Sequence, residues 1–369
     1  MRAASFDDLA KFGYDVRSIE DGAKALEPDQ ATLQGMPEEW RTPENVITPM
    51  AVALPNATLY NNGAALLPPH LAHDHDEIIF NGGWYFPGHL LWQHREVHEK
   101  FLKRVNQLIN SHARHEFVPG RCFSTRTEYS PGFAHFGHDV LTRIYYEDLG
   151  VIAPGREKII GPKYSYPIQK FLFEKIFADY EIIWAPDSVA LNVEELLIAA
   201  NLHGIGGLNA KSIESLARRM QRIIAPYIGT EKFKVCVSRS DGSNVRLGRN
   251  LVNTEAYENL LRDWGFRIVA ASTLDLDAQL HLWANTTDLI GVHGSGMMNM
   301  IMMPQGGNYT EIIGASYLDK HGNEVYGNNM ILRCAIAAGH RVRVITSKRN
   351  NEGRPIINLE QVRDLLITG

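Results

Sequence analysis

The segment Gly-Val-His-Gly-Ser-Gly-Met-Met-Asn, late in the chain, joins a β-prone run to a helical one. Gly294 and Gly296 lack the Cβ atoms that would hold a ligand away from the backbone. A helix beginning near Ser295 would direct its unpaired N–H groups and the positive end of its dipole over the turn. His293 can donate to a phosphate oxygen, and Asn299 can tie the turn to a neighbouring loop or contact the ligand. The segment therefore predicts an anion site, most naturally for phosphate, although a tight turn without a ligand has the same glycines.

Two other groups of side chains have the chemistry of metal ligands. The segment 70–77 reads His-Leu-Ala-His-Asp-His-Asp-Glu, and Asp275 and Asp277 have the spacing of an Asp-x-Asp pair. The first group follows a hairpin, in a predicted loop. The second precedes a helix, where aspartates cap the N-terminus and complement the helix dipole. We therefore predict no metal and no other cofactor. A metal-dependent hydrolase built on residues 70–76 is the alternative from a different class of enzyme.

The composition excludes several classes of protein. A chain of 369 residues is long enough for two domains. The net charge of -5 provides no basic field for a nucleic acid. The three cysteines are far apart and form no Cys-x-x-Cys pair, so neither a disulfide framework nor a thiolate zinc site is indicated. No run approaches the ~20 apolar residues that cross a bilayer. We therefore expect a cytoplasmic protein whose contact with a membrane would be peripheral, at its inner face.

The pattern of apolar and turn residues predicts an α/β protein. Residues 1–45 are polar and predict short external helices, and residues 46–85 predict a small antiparallel layer with a hairpin at Asn61-Asn62-Gly63. Helical and β-prone runs then alternate, which is typical of a parallel sheet. A glycine-rich stretch between two helical runs places the domain change near Gly204–Leu208. The predicted division is an N-terminal extension to residue 45, a first domain 46–205 and a second domain 206–369.

Individual elements follow from the periodicity. The predicted strands cover residues 121–127, 158–160, 181–184, 232–238, 267–270, 288–292, 309–313 and 341–345. The predicted helices cover residues 90–110, a run from 135, 167–179, 211–226, 254–264, 276–285, 325–338 and the C-terminal segment.

A series of short motifs in the second half resembles the C-terminal half of glycosyltransferase family 61. The matching motifs, in order, are VCVSRSDGSNVRLGRN, WGFRIV, Gln279, GVHGSGMMN and Glu311-Ile312. A second match lies upstream, where SPGFAHFGHDVLTRI resembles the His-Phe-x-x-Asp helix of that family. One departure is Ser295, where alanine is usual. The change is small enough to leave the turn intact.

The resemblance implies an inverting glycosyltransferase of the GT-B type, with two Rossmann-like domains facing a central cleft. The C-terminal domain would bind a nucleotide-diphosphate sugar, and we expect the nucleotide to be UDP. The N-terminal domain would bind a hydroxyl acceptor, such as a glycan in surface polysaccharide or glycoconjugate assembly. Alternatives on the same scaffold are a nucleotide-sugar epimerase or phosphorylase and a carbohydrate-binding member without activity.

The resemblance also implies roles for individual residues. The diphosphate would sit on the backbone of Gly294, Ser295 and Gly296, and Glu311 would accept from the ribose hydroxyls. The other side chains expected to bind the donor are Arg239, Arg246, Arg249, His293 and Asn299.

For the base that accepts the proton of the acceptor hydroxyl, the resemblance favours Asp139. His135 lies one helical turn before Asp139, so both side chains can face the same way. His138 is the rival base, and as the sequence neighbour of Asp139 it should point about 100° away around the helix.

Overall fold

The protein is described by a computed structural model. The structure describes residues 2–4, 6–11, 13–30, 32, 36, 45–67, 78–80, 103, 107, 109–110, 114–127, 129–204, 207–238, 252–318, 324–326, 329–349 and 355–368. The His/Asp segment 70–76, most of the predicted helix 90–110, and Arg239, Arg246 and Arg249 therefore lie outside the described residues. The chain forms two compact units, one of residues 1–25 and 44–216 and the other of residues 26–43 and 217–369.

The first unit is built on a mixed sheet. Its strands are β1 (Arg2–Ala4), β2 (Val16–Ser18), β3 (Asn45–Val46), β4 (Met50–Leu59), β5 (Ala65–Leu66), β6 (Ile78–Phe80), β7 (Arg114–Ser124), β8 (Lys158–Ile160), β9 (Ile182–Ile183), β10 (Val189–Ala199), β11 (His203–Gly204) and β12 (Gly207–Leu208). The main sheet has the order β1-β6-β5-β4-β10-β7-β8-β9, with β2 beside β4, and β11-β12-β3 form a small separate sheet. Strands β10, β7, β8 and β9 are parallel, whereas β4 is antiparallel to β10.

The long strand β10 is the centre of this sheet. In its register Leu196 pairs with Leu54 of β4 on one side and with Cys122 of β7 on the other. All three side chains are fully buried in the core of the unit. The last four residues of β10 are all buried, so both faces of the sheet are covered there, which explains the apolar run at the end of β10.

The helices of the first unit are α1 (Phe6–Lys11), α2 (residues 133–148), α3 (Pro167–Ile176) and α4 (Ala210–Ile224), within which the division between the units falls. Helix α2 is irregular. It begins as an α-turn at Phe133–His135, continues as a π-helical turn at Phe136–Val140 and a 3₁₀ turn at Leu141–Ile144, and ends as an α-turn at Tyr145–Asp148. Single π-helical turns within helices are frequent at functional sites.

The second unit has a doubly wound, mainly parallel sheet. Its strands are β13 (Phe233–Val237), β14 (Phe266–Val269), β15 (Thr286–Val292), β16 (Asn308–Leu318), β17 (Glu324–Tyr326), β18 (Arg341–Arg349) and β19 (Pro355–Ile356). The parallel strands have the order β14-β13-β15-β16-β18, and β17 and β19 add to β16 and β18 in the antiparallel sense. The chain direction across the sheet reverses between β13 and β15, which makes that point the topological switch.

Helices pack on both faces of this sheet. They are α5 (Thr254–Asp263), α6 (Leu276–Ala284), a 3₁₀ helix (Ser295–Met302), α7 (Met330–Ala337) and α8 (Leu359–Thr368). Leu261 of α5 and Val362 of α8 pack with Ile290 and Ile345 of the sheet in one buried core. The α/β class predicted from the sequence is confirmed. None of the described helices is long and apolar enough to span a membrane.

Several local predictions are wrong. The run before the glycine-rich stretch, interpreted as helical, forms the strand β10. Residues 1–45 were expected to contain only short helices, but Arg2–Ala4 and Val16–Ser18 are strands of the main sheet. The helix predicted over 325–338 begins only at Met330, after the strand β17. The helix after the glycine turn is a 3₁₀ helix.

Candidate functional site

The glycine turn of the second unit begins where β15 ends. The backbone N–H of His293 donates to the carbonyl of Ile312 at 2.8 Å, which extends the pairing of β15 with β16 by one residue. Gly294 then has φ 151° and ψ 179°. Side chains are essentially excluded from that conformation, so only glycine lets the chain leave the strand here and enter the 3₁₀ helix that begins at Ser295.

The two neighbouring glycines are required by packing. A Cβ atom on Gly296 would lie 2.8 Å from Cγ1 of Val237, the last residue of β13, and one on Gly291 would lie 2.7 Å from the sulfur of Met297. The turn therefore lies against the end of β13, at the switch point of the sheet. In open α/β sheets the crevice at this point is the usual ligand site.

The turn is held from within its own helix. Asn299 is buried, and its Nδ2 donates to the carbonyl of Gly296 at 2.8 Å. Ser295, at the helix start, is exposed. A 3₁₀ helix, like an α-helix, leaves its first N–H groups without helical partners, so the electropositive end predicted here is retained.

His293 is fixed by a buried carboxylate. Its Nδ1 lies 2.6 Å from Oε1 of Glu311, which has no exposed surface, and the hydroxyl of Tyr309 donates to Oε2 of the same carboxylate at 2.8 Å. Tyr309 is also fully buried, and burial together with the charge of Glu311 raises the pKa of its hydroxyl well above 10. Each oxygen of Glu311 thus has a donor inside the protein, and the carboxylate orients the imidazole of His293.

A second histidine–carboxylate cluster lies in the first unit, on the π-helical part of α2. Asp139 accepts from Nδ1 of His135 through Oδ2 at 2.8 Å and from Nδ1 of His138 through Oδ1 at 2.7 Å. The side chain of His135 is 39% exposed, whereas those of His138 and Asp139 are 1% and 8% exposed. The π-helical turn brings both imidazoles to one carboxylate, although two residues adjacent in sequence would diverge on a regular α-helix.

Asp139 is held as a carboxylate. Burial by itself would raise its pKa, but the charge of His138 and the hydrogen bonds from His135 and His138 hold the pKa of Asp139 well below its usual range. Because an ionised carboxylate only accepts hydrogen bonds, both imidazoles carry their proton on Nδ1. The basic lone pair of a neutral imidazole here is therefore on Nε2.

The cluster sits at the carboxyl ends of β7 and β10 in the first sheet. The buried guanidinium of Arg143 donates to the carbonyls of Ser124 at 3.0 Å and Ala199 at 3.2 Å, at the ends of β7 and β10. Its Nε donates to the carbonyl of Asp139 at 3.0 Å, so Arg143 anchors α2 across the ends of these two parallel strands. The ring of His203, just after β10, lies 4.7 Å from that of His138.

The same cluster could hold a metal ion. One ligand atom from each of His135, His138 and Asp139 lies within 4.8 Å of the others. The prediction that no metal is used stays a prediction. Asp275 and Asp277 were the second group considered as metal ligands. The carboxylate of Asp275 caps α6 by accepting from the N–H of Ala278 at 2.8 Å, as predicted.

The class of protein follows from the match to a family model. The model described as Glycosyltransferase 61 matches residues 133–313. The chain contains a glycosyltransferase family 61 domain. No curated protein matches the chain. Membership indicates glycosyltransferase activity, with a nucleotide-sugar donor and an acceptor.

The matched part of this glycosyltransferase contains both clusters. It begins at the first residue of α2 and ends two residues after Glu311, so it includes the His135–Asp139 pair and the His293–Glu311 pair. Tyr309 and His203 were not predicted as site residues. Tyr309 contacts Glu311 within its own strand, whereas His203 contacts His138 of another element. A buried tyrosine two residues before a glutamate on the same strand face was the only available signal for Tyr309.

Proposed function

We propose that this family 61 glycosyltransferase transfers a sugar from a nucleotide-diphosphate donor, UDP-linked, to a hydroxyl group with inversion of the anomeric centre. The second unit would bind the donor and the first unit would bind the acceptor, in a GT-B enzyme. The functional division predicted from the sequence, with an acceptor domain over 46–205 and a donor domain over 206–369, stays a prediction. So do assembly of a surface glycan as the process and the cytoplasm as the location.

The leaving diphosphate would bind at the Gly294 turn. Backbone N–H groups at the start of the 3₁₀ helix and the imidazole of His293 supply donors for phosphate oxygens. The 2.6 Å contact with Glu311 supports this role because a carboxylate on Nδ1 fixes the orientation of the ring. Additional positive charge would come from the predicted ligands Arg239, Arg246 and Arg249.

The contacts of Glu311 favour a positioning role. Both of its oxygens already accept hydrogen bonds, from His293 and Tyr309, and its side chain is fully buried. Contact with the ribose hydroxyls, as predicted from the resemblance, stays a prediction.

His135 would be the general base, and Asp139 would position it. Both oxygens of Asp139 are engaged and its pKa is low, which makes it a weak proton acceptor. His135 is the member of the cluster with exposed surface, and its Nε2 carries the lone pair when the ring is neutral. The arrangement has the division of roles of a histidine–aspartate pair in hydrolases, where the aspartate fixes the tautomer.

The proposed step is a single displacement. The acceptor oxygen attacks the anomeric carbon and gives its proton to Nε2 of His135. The bond from the anomeric carbon to the diphosphate oxygen breaks, and the diphosphate leaves with the bonding electron pair to the Gly294 turn. One displacement at one carbon inverts its configuration.

The observation that carries this proposal is the pair of histidine–carboxylate contacts beside the carboxyl ends of parallel strands in the two sheets. The test is a screen of UDP-sugars for transfer, followed by NMR of the product. The anomeric coupling constant should report the configuration opposite to that of the donor. Retention of configuration, or the absence of transfer from every sugar nucleotide, would contradict the proposal.

A further inference from the structure

Exposed aromatic side chains are concentrated at one edge of the first unit. Tyr129 follows β7 and is 47% exposed, and Tyr164 and Tyr166 follow β8 and are 42% and 44% exposed. Trp184, half-buried, follows β9 directly. Because β7, β8 and β9 are parallel neighbours, their carboxyl ends meet at the same edge of the sheet. Within the part of the chain that the structure describes, Phe117 is the only other aromatic residue exposed to this degree.

The loops that carry these tyrosines are fastened to each other by one buried side chain. Gln169 of α3 donates from Nε2 to the carbonyls of Ser130 at 3.3 Å and Pro131 at 3.2 Å. Its Oε1 accepts from the backbone N–H groups of Ser165 at 2.7 Å and Tyr166 at 2.9 Å. The loop after β7 and the loop after β8 therefore lie side by side, and their aromatic rings share one surface.

The ring of Trp184 is fixed within this surface. A Cβ atom on Gly161 would lie 2.6 Å from two of its ring atoms, so the absence of a side chain there makes room for the indole. Phe173 packs edge-on against the indole at 5.3 Å, and Tyr164 packs against it at 5.5 Å with an interplanar angle of 79°. The ring is preorganised, which reduces the entropy that a ligand must lose on binding.

The aromatic surface is continuous with the proposed base. The ring of Tyr129 lies 5.0 Å from that of His135, with an angle of 32° between the planes. A molecule that covers Tyr129 and Tyr164 would therefore extend away from Nε2 of His135, the atom proposed to accept the proton. Two strand spacings, from β7 to β9, correspond to about 10 Å, which is longer than a single pyranose ring.

We propose that this edge is an acceptor groove for a neutral oligosaccharide, with Tyr129 beneath the sugar next to the reacting hydroxyl and Tyr164, which Trp184 supports, beneath a sugar further along the chain. The C–H face of a pyranose ring stacks on an aromatic face, and the hydroxyl of tyrosine can hydrogen-bond at the rim. Exposed aromatic patches of this kind are uncommon on surfaces that bind nothing. The inference rests on the proposed function, in which the first unit binds the acceptor.

The test measures glycan binding and nucleotide binding on the same proteins. The wild type, Tyr129→Ala, Tyr164→Ala and the matched control Phe117→Ala are titrated with mono- to hexasaccharides of the β-glucan, xylan, mannan and galactan series, and separately with UDP. We expect hexasaccharides of at least one series to bind the wild type more tightly than the corresponding monosaccharide. Both tyrosine variants should bind about fivefold or more weakly, whereas Phe117→Ala should bind as the wild type does.

Other results would overturn the inference. Binding of no series by the wild type, or equal binding by Tyr129→Ala and the wild type, would exclude a glycan groove. Loss of UDP affinity in the tyrosine variants, with glycan binding intact, would make the aromatic surface a nucleobase site. Failure of the proposed function is a separate outcome, because it would appear as no transfer from any sugar nucleotide. Thermal unfolding of each variant shows whether it is folded. We expect all variants to fold, because the substituted side chains are exposed.

Discussion

At the scale of single residues, the protein twice uses a buried carboxylate to orient a histidine. Glu311 and Asp139 are both buried, and each has a hydrogen-bond donor on both oxygens. A buried carboxylate without such donors would carry a large desolvation cost. The two pairs differ in the second donor, which is the hydroxyl of Tyr309 in one and the imidazole of His138 in the other.

Tyr309→Phe tests the positioning of His293. The change keeps the ring and removes the hydroxyl that donates to Glu311, so the carboxylate should hold His293 less firmly. We expect UDP to bind about three- to tenfold more weakly, which corresponds to about 1 kcal/mol for one hydrogen bond. Isothermal titration with UDP measures this affinity. The matched control is Tyr257→Phe, which removes another buried hydroxyl of the same unit, at 3.8 Å from the sulfur of Cys236. Equal UDP affinity in the two variants would exclude the positioning role.

Asp139→Asn tests the charge of the cluster formed by His135, His138 and Asp139 through the pH dependence of stability. The folded state lowers the pKa of Asp139, so its carboxylate stabilises the fold above the unfolded pKa of about 3.9 and loses that effect as the pH falls towards the folded value. We expect the variant to lose about 2–4 kcal/mol of unfolding free energy at pH 7. Urea unfolding should show a smaller loss at pH 3.5. The exposed Asp179→Asn is the control, and a loss independent of pH would contradict the assignment.

At the scale of elements, the strand-to-helix turn depends on one glycine whose conformation other residues avoid. Gly294→Ala should cost about 1–3 kcal/mol and displace the start of the 3₁₀ helix, so UDP binding should be lost together with stability. Gly265→Ala is a matched control, because Gly265 has φ 80° with nothing within 4 Å of an added Cβ. The control should lose stability and keep UDP binding. Calorimetry with and without UDP separates the two effects, and normal UDP binding by Gly294→Ala would exclude the turn as the diphosphate site.

The sequence predicted the elements of the second unit well because its helices and strands have clear periods and stops. Residues 254–264, 276–285 and 288–292 were predicted within one or two residues of α5, α6 and β15. The position of the glycine turn was also predicted, since glycine spacing and the strand before it are local properties. The conformation of Gly294 follows from the same local signal, whereas Asn299 bonds to Gly296 within its own helix and not to a neighbouring loop.

Elements decided by distant contacts were not predictable in the same way. The run Val-Glu-Glu-Leu-Leu-Ile-Ala-Ala at the end of β10 has the composition of a helix, but pairing with β4 and β7 makes it a strand. The π-helical turn of α2 places His135 and His138 on one carboxylate, and Arg143 ties the helix to the ends of β7 and β10, contacts that a helical period does not specify. The hydrogen bond from Tyr309 to Glu311 depends on the burial of both side chains, which their i, i+2 spacing alone does not specify.

At the scale of the whole molecule, the two units repeat one design. Each has parallel strands, and each places a histidine–carboxylate pair beside the carboxyl ends of those strands. The chain has a net charge of -5, so attraction of a diphosphate depends on local donors. We therefore propose that two separate clusters serve two parts of one reaction. His293 stabilises the leaving group, and His135 removes the proton.

The kinetics of His135→Ala test this central claim most directly. Transfer from a saturating UDP-sugar is measured for the variant and the wild type, with UDP affinity determined on the same samples. Loss of a general base should lower kcat by about 100-fold or more, while UDP affinity remains unchanged because the proposed diphosphate site is the Gly294 turn. A variant that transfers sugar at the wild-type rate would contradict the assignment of His135 and the mechanism built on it.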